Sequence, residues 1–125
     1  HATSWTWHTD GYALAGVPKN EDSRMQALMS YEILDTEQEE MFDDLCTLAR
    51  NIFDAEISMI SFVDHTRVWL KAQQGLEGKD VDFPREISIC AHCITMNQDT
   101  IIPDTREDER FKNNPHVVGG LKIRF

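Results

Sequence analysis

Basic residues are scarce. Twelve lysines and arginines stand against 22 aspartates and glutamates, a formal charge of −10. A surface with that balance repels phosphate backbones and anionic headgroups, which disfavours nucleic-acid and membrane-surface binding. Cysteine is also scarce, three in 125 residues, and an odd number at irregular spacing builds no disulfide framework. Cys46, Cys90 and Cys93 read as thiols of a reducing soluble compartment, cytoplasm or organelle stroma. No apolar run approaches the roughly 18–20 residues that span a bilayer. Residues 1–19 have no cationic start followed by an apolar stretch, so they do not read as a signal peptide. The start at His1 instead of methionine points to a processed organelle-targeted precursor or to a piece of a longer polypeptide. The length suits one domain and is enough to bury a core without staples.

Residues 1–19 carry two glycines, a proline and no sustained period, and read as an extended arm. Trp5, Trp7 and Tyr12 are poorly suited to a solvated tail. Aromatics are common anchors where chains meet, so the arm either folds back on its own domain or docks on a partner protein, as an accessory subunit peripheral to a larger complex would. Glu21 to Leu34, with Met25, Leu28 and Met29 at helical spacing, reads as a short helix. Thr36-Glu37-Gln38-Glu39 has the form of a capping box. It precedes a helix over about 37–53, where Met41, Phe42, Leu45, Cys46, Leu48, Ala49, Ile52 and Phe53 make one apolar stripe. Between Glu32 and Asp44 there are seven acids and no base, a face that is either simply solvated or a docking surface for a basic partner. Two strands follow, over 55–63 and 68–72, joined by a turn at Asp64–Arg67. Residues 75–80 read as a loop, 87–96 as a helix packed across the sheet, 100–103 as a short strand, 104–115 as a polar loop with one helical turn, and 121–125 as the start of another strand.

Cys90-Ala91-His92-Cys93 is the constellation with chemical promise. Two thiols separated by two residues at a helix start can exchange disulfides, with Ser88 as cap and the helix dipole favouring a thiolate at Cys90. The segment lacks the surrounding βαβ pattern of a thioredoxin-like site, and small cysteines also suit tight packing of helix on sheet. Metal ligation is disfavoured: at 100° per residue Cys90 and His92 point about 160° apart. His92 shares a face with Ser88 and Thr95, which suggests a hydrogen-bonded structural position. No metal or cofactor is expected.

The stretch Phe83-Pro84-Arg85-Glu86-Ile87-Ser88-Ile89-Cys90-Ala91-His92-Cys93-Ile94, then Ile101-Ile102-Pro103-Asp104 and Asp108-Glu109-Arg110-Phe111-Lys112-Asn113-Asn114-Pro115, resembles the central signature of GAF domains. Ile33-Leu34-Asp35-Thr36, Phe42-Asp43-Asp44-Leu45, Ile60-Ser61-Phe62-Val63-Asp64 and Lys71-Ala72-Gln73-Gln74-Gly75-Leu76 extend it, in order, over residues 20–125. The resemblance implies an α/β (α+β) fold: a GAF-like antiparallel sheet flanked by helices, truncated at its carboxyl end, where GAF domains continue through further strands and usually a closing helix. It also implies a non-catalytic binding or regulatory module rather than an enzyme. A cavity in such a module is lined by Phe62, Trp69, Cys90, His92 and Phe111, with Asp104 and Arg110 on the loop that closes over a polar small-molecule ligand. The alternative is that Arg110 pairs with Asp104 or Asp108 and Phe111 plugs the core. The order His92 then Cys93 argues against the covalent pigment of bilin-binding relatives, and the cysteine context argues against reduction of methionine sulfoxide.

Overall fold

The computed structural model describes residues 5–78, 81–96 and 98–125. Among these the fold is α+β, with two antiparallel sheets and four α-helices. None of its helices is long and apolar enough to cross a membrane. The chain divides into two units, one of Asn20–Phe83 and one of His1–Lys19 with Pro84–Phe125.

In the unit of Asn20–Phe83, α1 (Glu21–Ser30) buries Met25 and Leu28. Arg24 is held between the Glu21 carboxylate, at 2.8 Å, and the Val63 carbonyl. Helix α2 (Glu40–Phe53) begins three residues later than the sequence suggests for its first turn, with Glu39 as its N-cap and no side-chain capping bond. The expected capping box does not form. The Thr36 hydroxyl instead donates to Ile33 O at 2.6 Å and accepts from Lys71 Nζ at 2.8 Å. The helix stops at Asp54, which takes the left-handed conformation, φ 49°, while Ala55 N donates to Arg50 O.

β3 (Ser58–Val63) and β4 (Arg67–Gln74) form a hairpin closed by the Asp64 N–H to Arg67 carbonyl bond. β5 (Asp82–Pro84) completes the order β3-β4-β5. β4 is the central strand, and Val68, Trp69, Leu70, Lys71 and Ala72 are all buried in sequence. A strand with one face in water alternates between buried and exposed residues, and this one does not. Ile60 pairs with Ala72 and Ser61 with Leu70, so Lys71 is the extra residue of a β-bulge. The loop expected over 75–80 is described to Gly78; Lys79 and Asp80 lie outside the described residues.

In the other unit the arm is not extended. β1 (Thr6–Trp7) pairs with β2 (Ala13–Leu14) around a turn in which Gly11, φ 88°, donates to His8 O. The helix expected over 87–96 is shorter: a 3-10 turn at Arg85–Ile87, a break at Ser88, then α3 (Ile89–Cys93). Asn114 Nδ2 donates to Ile87 O at 2.9 Å, which ties up a carbonyl that a continuous helix would use internally. The strands expected at 100–103 and 121–125 do not form, because neither segment gains a ladder partner. The second of these segments is fastened by single bonds instead, Thr105 N donating to Arg124 O at 2.7 Å and Ile123 N to His116 O at 2.9 Å. A 3-10 turn at Thr105–Glu107 supplies the helical turn expected in the polar loop, and α4 (Pro115–Val118) follows. Phe111, His92, Val117, Asn114 and Thr105 are the largest fully buried side chains of this unit.

Candidate functional site

The candidate residues fall into two groups. Phe62 and Trp69 belong to the unit of Asn20–Phe83, where their ring centroids are 6.5 Å apart. Cys90, His92, Asp104, Arg110 and Phe111 belong to the other.

His92 is the centre of that second group. α3 carries it inward until 2% of its surface is exposed. Its Nε2 lies 3.3 Å from Ala13 O on β2. The Phe111 ring meets it edge-on, centroids 4.9 Å apart at 90°, and the Trp5 ring lies tilted at 5.4 Å. Burial lowers the His92 pKa below its ordinary value, and the Arg110 charge adds to that. The imidazole is therefore neutral at pH 7. Its Nδ1 is buried without a hydrogen-bond partner.

Arg110 sits with its guanidinium 4.6 Å from the Phe111 centroid and 5.6 Å from that of Trp5. Asp108 grips it twice, Nε to Oδ1 at 3.0 Å and Nη2 to Oδ2 at 2.9 Å, and also accepts from the Arg110 N–H at 2.9 Å. That grip holds the Asp108 carboxyl below the usual carboxylate range, against the opposing effect of burial. Asp104 makes the same arrangement with Arg106, which brings its pKa down to about 2. Of the two partners considered for Arg110, the structure selects Asp108. The signal missed in the sequence is the repeated Asp-x-Arg of Asp104–Arg106 and Asp108–Arg110: an aspartate accepts readily from the backbone two residues on, which aims the arginine back at the same carboxylate.

Cys90 and Cys93 are both half-buried, and no disulfide joins any of the three cysteines. Burial pushes the Cys93 thiol up, with the Thr100 hydroxyl pulling the other way. Ser88 occupies the N-cap of α3 but makes no side-chain capping bond. Thr95, on the His92 face as expected, donates to the His92 carbonyl at 2.6 Å.

Of the three aromatic docking candidates, Trp5 packs against His92 and Arg110, and Tyr12 is buried with its ring stacked on His8 at 4.6 Å. Trp7 alone stays exposed. The arm thus folds back on its own unit, with Tyr12 inside and Trp5 half-buried.

A cleft of about 590 Å³ opens in the unit of Asn20–Phe83, beside Asp35, Thr36, Trp69, Lys71 and Gln73. Its polar groups are engaged by their own chain. Lys71 Nζ is shielded from solvent and donates to Thr36 Oγ1 and Glu37 O, pairing also with Glu39 at 2.7 Å. Arg67 joins Asp35, Asp64 and Asp82, with its Asp35 bond at 2.7 Å the shortest. Neither cluster was apparent from the sequence, since the partners lie up to 35 residues apart.

No family model matches the chain. It is similar to a cyclic di-GMP phosphodiesterase of Pseudomonas aeruginosa. The identity is 33% over 108 residues, which is 86% of this chain. The chain spans only 18% of that relative's length.

Proposed function

We propose that this chain is a non-catalytic, GAF-like binding and regulatory segment of a longer polypeptide whose chemistry is performed elsewhere. The observation that carries the reading is the state of His92 and its neighbours. The imidazole is buried between Phe111 and Trp5 and is not presented to solvent as an acid or base would be, and the half-buried Arg110 is already engaged by Asp108. The raised Cys93 thiol supports the same reading, because a thiol nucleophile needs its pKa lowered.

The similarity to a phosphodiesterase fits this arrangement. More than four-fifths of that relative lies outside the 18% matched, ample length for a separate catalytic domain. In this reading a segment like the present one adjusts the hydrolysis of cyclic di-GMP and does not perform it.

The test incubates the purified chain with cyclic di-GMP and magnesium or manganese and follows the nucleotide by chromatography. Intact nucleotide is the expected result. Hydrolysis that is abolished by His92→Ala would overturn the proposal. Native mass spectrometry of the gently isolated protein then reports whether a small molecule is retained.

A further inference from the structure

Trp5 covers the His92 ring from the least firmly held part of the arm. It immediately precedes β1, whose two residues, Thr6 and Trp7, are exposed and pair in the ladder with Leu14 and Ala13. β2 is bonded inward: Ala13 N donates to Arg110 O at 3.0 Å, Ala15 N donates to Glu86 O at 3.0 Å, and Ala13 O lies 3.3 Å from His92 Nε2. A two-residue strand on the outside of a hairpin opens readily, so Trp5 can leave with β1 while β2 stays in place. Trp5 itself is half-buried, its ring centroid 5.4 Å from that of His92 and 5.6 Å from the Arg110 guanidinium.

The indole takes up this place without completing it. A carbonyl only accepts, so the hydrogen of the neutral His92 ring is on Nε2, toward Ala13 O, and Nδ1 carries a lone pair. That acceptor is buried and has no hydrogen-bond partner among the described residues. An unsatisfied buried acceptor is costly, and an occupant that covered the same ring and also donated to Nδ1 would recover the loss. The neighbours narrow its chemistry. The Arg110 guanidinium, already 4.6 Å from the Phe111 centroid, stacks on a flat aromatic ring and repels a positively charged one. Asp108 holds Arg110 through Nε and Nη2, so the occupant needs no anionic group to balance it.

We infer that Trp5 is an internal plug, and that the place it fills beside His92 and Arg110 is a binding site for an uncharged, flat, fused-ring heteroaromatic with a ring N–H. The arm's own indole competes with such a ligand, so binding at His92 and release of β1 are one equilibrium. The inference rests on the reading of the chain as a binding and regulatory segment, and it names the ligand chemistry and the regulation of that site.

The experiment uses the full 125-residue chain with indole and benzofuran as probes, two molecules of the same shape of which only indole donates a hydrogen bond. Calorimetry is expected to show indole binding to Trp5→Ala at least about tenfold more tightly than to the unsubstituted chain, because the competing side chain is gone. On Trp5→Ala, benzofuran binds at least about fivefold more weakly than indole, and adding His92→Phe abolishes that preference. Trp7→Ala, a change on the same strand at an exposed side chain, leaves the indole affinity of the unsubstituted chain as it was. A second measurement needs no substitution: in nitrogen-15 NMR, saturating indole moves the Trp5 side-chain N–H resonance to the position of a solvent-exposed indole. Equal indole affinity with and without Trp5, binding to neither, equal binding of indole and benzofuran to Trp5→Ala, or a Trp5 resonance that saturating indole does not move would each overturn the proposal. Hydrolysis of cyclic di-GMP by the chain would overturn the regulatory reading instead and leave these affinities as they are.

Discussion

His92 and His116 are both held neutral by burial, with pKa values below the ordinary one of about 6.5. A group with a lowered histidine pKa binds its proton more readily when the chain is unfolded. Its contribution is therefore complete above about pH 6.5 and declines as the pH falls toward the folded values. Urea midpoints are expected to drop between pH 7 and 5, and the His92→Gln, His116→Gln double variant to flatten that slope. Asp104, Asp108 and Asp35 act in a separate window. Their lowered pKa values give stability that is present above about pH 4 and lost in stronger acid. Lys71 makes a different residue-scale prediction. Its ammonium is enclosed by Thr36, Glu37 and Glu39, with the Phe42 ring 5.4 Å away. Lys71→Ala is expected to cost about 2 kcal/mol by urea unfolding, short of the full cost of breaking a buried pair because Glu39 can turn to water. Lys71→Met, which keeps the stem, costs less.

At the scale of elements, the ends are where single residues decide. Asn114 is fully buried, accepts from His116 N at 2.8 Å as the cap of α4, and donates to Ile87 O. Asn114→Ala removes both bonds and leaves Ile87 O short of a partner, so a loss of about 2 kcal/mol is expected in chemical unfolding. After β4, Gly75 has φ +94°, and a Cβ there would lie 2.0 Å from the Glu56 carbonyl oxygen. Gly75→Ala is expected to lower the thermal midpoint and cost about 2–3 kcal/mol, since both the backbone conformation and the contact oppose it. The elements also show what periodicity can carry. The α2 stripe and the β3-β4 hairpin are local patterns, and both form within a few residues of their expected bounds. The capping box at Thr36 fails because its hydroxyl is engaged by a lysine 35 residues on. The strands at 100–103 and 121–125 fail because a strand requires a neighbour, and no local pattern specifies one.

At the scale of the molecule, the arm belongs to the core of its unit. Tyr12 and Ala13 are buried, Ala13 N donates to Arg110 O at 3.0 Å, and Ala15 N donates to Glu86 O at 3.0 Å. A chain beginning at Asn20 is therefore expected to lose hydrogen-exchange protection throughout 84–125 while keeping it in α2 and β4. Protection retained across 84–125 would show that the arm is dispensable. The sequence by itself determined the acidic charge, the shortage of disulfide-forming cysteines, the amphipathic α2 and the hairpin, because composition and short-range period act within a few residues. Only the tertiary structure decided that His92 is walled in by Trp5 and Phe111 and that five of the eight residues of the α2 stripe stay exposed. Both outcomes depend on which residues distant in the sequence pack against a side chain, and burial makes that choice costly to reverse.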